Sequence, residues 1–257
     1  MKKDNWKIWK KKEVSSREGR MYSQRAKGEL PEMESSKALC KILSSFYKPE
    51  MKVLDVGCGA GHYLRSLRIR LDKDIDYTGL DDTAPYIELA KKAFGQGPKF
   101  LKGDIFNLPF KSNTFDIVVC NNVILHLPPF PEKAFSELIK VSKKYLVVRT
   151  IFGETNYIVK EQQVHSPDIY AFCNMYSEEY IKKLISKIDS ETKVEIVKDK
   201  DWQEFDNREP AGETATGTRV LNNQQVSGNL VLDWRFIIIE KKMKKHNLIC
   251  EFTVRYI

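Results

Sequence analysis

The sequence lacks any run of about 18 apolar residues, so no membrane-spanning helix is expected. It also lacks an apolar core behind its basic start, "MKKDNWKIWKKKEVSSREGR", which argues against a secretory signal and for a cytoplasmic protein. The five cysteines are scattered, with no Cys-x-x-Cys pair, so neither a zinc knuckle nor a disulfide framework is expected, and no metal site. There is no internal repeat and no low-complexity segment. What remains is a chain of 257 residues, 42% hydrophobic and 30% charged, which is a globular composition long enough to bury one good core.

Negative charge is in short supply: the net charge is +8. Such an excess can attract nucleic acid, an acidic membrane surface or an anionic substrate. Much of it lies in two terminal clusters, "KKDNWKIWKKK" and "EKKMKKHN", and clusters of this kind also serve simply as solvated surface.

Strand and helix patterns alternate through the first part of the chain. "MKVLDVGCG" reads as a buried strand ending in glycines, and "AGHYLRSLRIRL" as a helix with Tyr63, Leu64, Leu67 and Leu71 at helical spacing. "DIDYTGLDD" is a second strand with an acidic end. "APYIELAKKAFG" is a helix with Pro85 in its first turn and Gly95 at its stop. "PKFLKGD", "FDIVVCNN" and "KKYLVVRT" are the third, fourth and fifth strands, the last preceded by the helix "PEKAFSELIKVS". This rhythm predicts a parallel sheet covered on both faces. Residues 151–175 have no clear period. "SEEYIKKLISKI" follows as a helix with Ser177 as its N-cap. "TKVEIVKDKDW" and "NLVLDWRFIIIEK" are strands, and "RVLNNQQVSG" is a hairpin around Asn222-Asn223.

Gly57, Gly59 and Gly61 sit between the first strand and its helix, just after Asp55. In an open parallel sheet a ligand binds beyond the carboxyl ends of the strands, glycine lets the backbone come close to it, and the next helix offers free N–H groups. The second strand ends in Asp81, and a carboxylate there can accept both hydroxyls of a ribose. A nicotinamide-dependent dehydrogenase shares this logic, but its fingerprint is Gly-x-Gly-x-x-Gly, whereas this loop reads Gly57-Cys58-Gly59-Ala60-Gly61.

The stretches "VLDVGCGAG", "YTGLDD", "LKGDIFNLPF" and "FDIVVCNNVILHLP" resemble the ordered motifs of class I S-adenosylmethionine-dependent methyltransferases of small-molecule type. The resemblance covers roughly residues 50–150 most strongly. It implies an α/β, Rossmann-like, doubly wound seven-stranded sheet, mostly parallel, with a C-terminal antiparallel strand. It also implies roles by position. Gly57, Cys58, Gly59 and Gly61 would wrap the methionine part of S-adenosylmethionine, and Asp55 would orient its amino group. Asp81 would bind the ribose hydroxyls, with Asp82 beside it either sharing them or capping the next helix. Asp104 and Ile105 would hold the adenine, and Asn121 would lie beside the methionine end. The Pro-Gly-Gly turn common before the fifth strand is replaced by "VSKKYLVV".

Methyl transfer from a sulfonium is an in-line substitution, mostly a matter of proximity, although a hydroxyl or amine acceptor also has to lose a proton. His126, after the fourth strand, and His165, in the aperiodic insert, are the catalytic candidates; either can equally be a packing or surface residue. Tyr22 and Arg25 precede the first strand and are candidates for the cofactor carboxylate or the substrate, as is Arg149 at the end of the fifth strand, which can also be a structural ion pair. His62 follows the glycine loop. Cys58 and Cys120 read as packing residues. The Pro-Cys dipeptide of cytosine C5 methylation is absent, as is the Asn/Asp-Pro-Pro-aromatic motif of base amino-nitrogen methylation.

The expected organisation is an N-terminal helical cofactor lid over 1–50, a methyltransferase domain over 51–240 with an insert at 151–175 and a hairpin at about 214–230, and a basic extension over 241–257. The expected activity is methyl transfer to a small molecule or a sugar or glycan precursor, the latter by analogy of the late strand pattern. A tRNA methyltransferase, for which the basic termini speak, and a non-catalytic cofactor-binding regulator are the alternatives. The oligomeric state is left open.

Overall fold

A computed structural model describes residues 17–163, 166–199, 219–221, 224–227 and 230–242. The central sheet has seven strands in the order β3-β2-β1-β4-β5-β12-β8: β1 Lys52–Val56, β2 Asp76–Asp81, β3 Lys99–Lys102, β4 Phe115–Asn121, β5 Ser142–Phe152, β8 Lys193–Lys198 and β12 Asp233–Glu240. β1 pairs in parallel with β2 and β4, β2 with β3, and β4 with β5, while β12 runs antiparallel between β5 and β8. This is the sheet that the strand–helix rhythm and the resemblance predict. The strand order reverses at β1 and β4, and the crevice at that switch is where an open α/β sheet receives its ligand.

Alternation along each strand sorts the two cores. Leu54, Val56, Val118, Cys120, Leu146 and Val148 pack under α5 (Glu132–Val141) and α6 (Glu178–Ile188). Val53, Tyr77, Ile117, Val119, Val147 and Phe236 face α2 (Glu34–Leu43), α3 (His62–Arg70) and α4 (Ala84–Phe94). β1 and β4 are apolar on both faces because both faces are covered. α6 begins as expected: the Ser177 hydroxyl accepts the Tyr180 N–H at 3.2 Å. α5 passes into β5 with no intervening turn, which explains why "VSKKYLVV" needs no glycine pair. Lys241 Nζ ties that junction by donating to the carbonyls of Ile139 and Ser142 at 3.0 and 2.7 Å, and to Asn113 Oδ1 at 2.9 Å.

Before the sheet, α1 (Arg17–Lys27) and α2 lie on α3. Ser36 and Ser66 share a buried hydrogen bond of 2.7 Å, Tyr63 donates to Ser35 at 2.7 Å, and Glu32 holds Arg70 by two bonds of 2.8 and 2.9 Å.

The insert differs from its aperiodic reading. β5 runs on to Phe152, and a two-stranded ribbon follows, β6 (Lys160–Gln163) antiparallel to β7 (Ser166–Phe172). Leu125, Ile151, Met175 and Trp234 form a third apolar cluster beneath it. A small antiparallel sheet joins β9 (Arg219–Leu221), β10 (Gln224–Ser227) and β11 (Leu230–Val231). Asn222-Asn223, His165 and the end of the chain beyond residue 242 lie outside the described residues. No helix among the described residues is long and apolar enough to cross a membrane.

Candidate active site

β1 leaves the sheet at Val56 and turns through Gly57, Gly59 and Gly61 into α3. All three have positive φ, +81°, +54° and +78°, which an L side chain rarely adopts. Gly57 has a second reason to be glycine: a Cβ there would lie 2.2 Å from Val123 Cγ2, so the turn after β4 sits directly against it. The loop is stitched to β2. The N–H groups of Gly57 and Cys58 donate to the Leu80 carbonyl at 2.7 and 3.2 Å, and the Gly59 N–H donates to Asp81 Oδ2 at 2.9 Å. Cys58 is fully buried, and burial pushes its thiol well above the usual range, as suits a packing residue.

Asp55 is 2% exposed, and its Oδ2 accepts the Tyr77 hydroxyl at 2.7 Å. Burial pushes its carboxyl up to about 7; the Tyr77 hydrogen bond opposes that rise and the nearby Asp81 adds to it. Gly79 is the neighbour of Asp55 in the ladder, and a Cβ there would meet Cys58 Sγ at 2.8 Å and the Phe100 ring at 2.9 Å. Asp81 receives the Thr83 N–H on Oδ1 at 2.8 Å, and burial raises its carboxyl against the pull of the Thr83 and Gly59 N–H groups. The N-cap position of α4 is therefore Thr83, and the oxygen that reaches the start of the helix belongs to Asp81. Asp82 is half-buried beside it.

Asp104 follows β3 and folds into a tight turn, its Oδ1 accepting the Phe106 N–H at 2.9 Å, with Ile105 buried beside it. Asn121 ends β4. It is 7% exposed, yet neither its amide nitrogen nor its amide oxygen has a hydrogen-bond partner among the described residues. A buried amide left so costs a few kcal/mol unless a ligand or water completes it.

The α1 side chains meet the exit of the loop. The Tyr22 ring stacks on His62 with centroids 4.7 Å apart and planes 7° from parallel, and meets Tyr86 edge-on at 6.0 Å. Burial pushes His62 down to about 3, and the positive charge of Arg25 nearby pushes the same way, so its ring is neutral at physiological pH.

His126 lies in a 3₁₀ turn, Ile124–His126, after β4. Its Nδ1 is 2.9 Å from the Phe172 carbonyl of β7, which selects the tautomer protonated on Nδ1 and leaves the ring lone pair on Nε2. Asn174 holds the same turn, its N–H donating to the Leu125 carbonyl and its Nδ2 to that of Leu127, both at 2.8 Å.

Arg149 departs from the expected substrate contact. It is fully buried: Nε and Nη2 lie 2.8 and 2.7 Å from Asp199 Oδ2, and Nη1 donates to Asn122 Oδ1 at 2.6 Å. Its guanidinium carbon sits 4.0 Å from the centroid of the Trp234 ring. The reason is topological: Arg149 faces inward from a strand flanked on both sides, and β8 delivers a carboxylate to it. Tyr77, Asn122, Asn174 and Asp199 were not candidates on sequence. Only Tyr77 carries a local signal, since Tyr77, Gly79 and Asp81 alternate onto one face.

The loop, the acids at successive strand ends and the unpartnered amide thus lie together at the sheet's switch point, and residues 47–208 match a family model described as a methyltransferase domain. The chain belongs to this methyltransferase family. Over 106 residues it is 33% identical to a sterol 24-C-methyltransferase of Gibberella zeae, covering 37% of this chain and 26% of that protein. Over 112 residues it is 28% identical to a ubiquinone/menaquinone biosynthesis C-methyltransferase of Campylobacter jejuni, covering 42% and 47%. The match thus spans between a quarter and a half of these curated relatives. Among solved structures, a SAM-dependent methyltransferase from Methanosarcina mazei aligns with a TM-score of 0.57 at 17% identity, covering 79% of this chain and 98% of that one. A magnesium protoporphyrin IX methyltransferase from Synechocystis with bound SAH aligns with a TM-score of 0.51 at 17% identity, covering 81% and 83%. At these identities the structural likeness speaks for the fold of the methyltransferase domain.

Proposed function

We propose that this methyltransferase domain binds S-adenosylmethionine and transfers its methyl group to a small molecule. The observation that carries the reading is the set of incomplete polar groups around the glycine turn. Asp55 and Asp81 have no cation partner, and Asn121 has no hydrogen-bond partner, among the described residues. A ligand with an ammonium group and a vicinal diol completes all three. Asp81, whose two bonds to backbone N–H groups leave further lone pairs, would take the ribose hydroxyls. Asp55 would face the amino group, Asn121 the methionine end, and Asp104 with Ile105 the adenine. The left-handed backbone at Gly57, Gly59 and Gly61 brings the main chain to the ligand, and Tyr22 and Arg25 on α1 would cover its outer side.

When bound, the cofactor supplies an electrophilic methyl group on a sulfonium. The chain's own part is to hold the acceptor in line and keep water out. His126 would accept the acceptor's proton on Nε2 while the Phe172 carbonyl holds Nδ1–H and so the orientation of the ring. The curated relatives named for sterol and quinone methylation support a small acceptor.

Calorimetric titration with S-adenosylhomocysteine tests the reading. Wild-type protein is expected to bind, and Asp81→Ala to bind roughly 30- to 100-fold more weakly, the worth of a charge-assisted hydrogen bond or two. Equal affinity in the two proteins removes Asp81 from the pocket. Binding of a nicotinamide dinucleotide instead of S-adenosylhomocysteine overturns the cofactor.

A further inference from the structure

A staggered row of side chains crosses one face of the sheet, with Asp55 two residues before and Trp234 two residues beyond the level of Asp81, Asn121 and Arg149. Asp81 lies on β2, Asp55 on β1, Asn121 on β4, Arg149 on β5, and Trp234 on β12 beside Asp199, all on the face shared with α2 to α4. Asn121 is the ladder partner of Arg149. The next residue, Asn122, has φ +59°, a left-handed conformation that asparagine tolerates better than most residues. Arg149 grips this residue twice. Its carbonyl accepts the Asn122 N–H at 2.9 Å, and its Nη1 donates to Asn122 Oδ1 at 2.6 Å. The turn so held does two things: it fixes the end of β4, where the unpartnered Asn121 amide sits, and it lays Val123 against Gly57. Arg149 is itself held by Asp199 and by the Trp234 ring, from the far side of the sheet.

We propose that Arg149 and Asn122 are positioning residues of the cofactor pocket, through which Asp199 and Trp234 set the geometry of the Asn121–Val123 turn against the glycine loop. The inference rests on the cofactor reading above. It gives the buried guanidinium a task that neither a substrate contact nor a plain ion pair provides. Arginine suits it because a planar fork can satisfy Asp199 along one edge and Asn122 along the other while its face rests on an indole. Lysine offers a single point of charge and no second edge.

The test uses Asn122, because removing Arg149 endangers folding. Asn122→Gly keeps the left-handed backbone and removes only the acceptor; Asn122→Asp keeps the acceptor and the backbone. S-adenosylhomocysteine affinity is measured by calorimetry for wild type and both variants, alongside thermal melting without ligand. The expected result is a fall of about tenfold for Asn122→Gly, the worth of one hydrogen bond, with restoration in Asn122→Asp and little change in melting temperature for either. Wild-type affinity in Asn122→Gly overturns the proposal, as does an equal loss in Asn122→Asp. If Asn122→Gly melts too low to titrate, Asp199→Asn is the second variant, and unchanged affinity there overturns it equally. Failure of the cofactor reading is distinguishable, because the wild type then binds no S-adenosylhomocysteine at all.

Discussion

On the β2–β1–β4 side of the sheet, Asp55 and Asp81 sit among a phenol and backbone N–H groups with no cation beside them among the described residues, and burial raises both carboxyls. On the β5–β12–β8 side, the Arg149 and Asp199 side chains are buried to 1% and 2% exposure, but they neutralise each other and carry further contacts to Asn122 and Trp234. The same face of one sheet therefore holds buried charge in two states, incomplete and complete. A buried charge without its counter-charge is costly, and a fold keeps it where a ligand supplies what is missing. A satisfied pair asks for nothing and serves to hold its neighbours. The contrast fits the proposed ligand at the β2–β1–β4 end of the row and a scaffold at the β5–β12–β8 end.

The largest effect should come from breaking the complete side. Arg149→Met keeps the apolar stem but leaves Asp199 buried without its cation, and is expected to destabilise the protein by about 3–5 kcal/mol in denaturant titration. Arg149→Met with Asp199→Leu should recover most of that loss, because no charge is then stranded. If the double variant is no more stable than the single, the pair is not the closed unit described.

The incomplete side should answer in the opposite direction. Asp55 is raised from an ordinary carboxylate value to about 7, so between those values the folded chain binds a proton that the unfolded chain has lost. Its contribution to stability is therefore greatest at low pH and is lost as pH rises toward 7. Asp55→Asn carries no such ionisation and can still accept from Tyr77. At pH 8 it should be more stable than the wild type, on the order of 2–4 kcal/mol, with the gap closing toward pH 4. The same variant should bind S-adenosylhomocysteine more weakly, since it cannot become the anion that faces an ammonium. A stability gap that does not change with pH would mean that Asp55 is ionised throughout and that the two sides differ less than argued.

Much of this was open to reading in the chain, and the exceptions share a cause. β1 to β5 and their helices are marked by local period and by local boundary signals such as Gly61 at the start of α3 and Gly95 at the end of α4, so pattern alone finds them. Asp55, Asp81 and Asn121 lie at or next to the ends of those strands and are named as candidates with them. The sequence leaves Arg149 open to two roles because its partner lies fifty positions away, just past a strand that returns from another part of the chain. Nothing near Asp199 announces that meeting. The insert was read as aperiodic because "KEQQ" is polar on both faces, so β6 shows no alternation to detect, and its ladder exists only opposite β7. Position alone does not tell which carboxylate meets the Thr83 N–H; the fold gives that contact to Asp81. Local periodicity reveals elements; partners brought together by topology need the fold.

The smallest expected effect is also the one that most finely divides the two sides. Tyr77→Phe removes one oxygen from a residue that is 1% exposed and otherwise packs as a ring. The ionisable groups acting on Asp55 are Asp81 and Tyr77 itself. The Tyr77 hydroxyl is the contact that opposes the burial-driven rise of Asp55, so its loss should lift that carboxyl further. On the proposed reading, binding of S-adenosylhomocysteine strengthens as Asp55 ionises, so the rising limb of affinity against pH should move about one unit higher in Tyr77→Phe, a loss of roughly fivefold at pH 7 that vanishes at high pH. A purely packing role for Tyr77 would instead lower affinity by the same factor at every pH. Applied to the other side of the row, the same titration on Asn122→Gly should give a loss that does not move with pH, because the acceptor removed is an uncharged amide oxygen. If both variants give the same pH-independent loss, the Tyr77 phenol is scaffold as well.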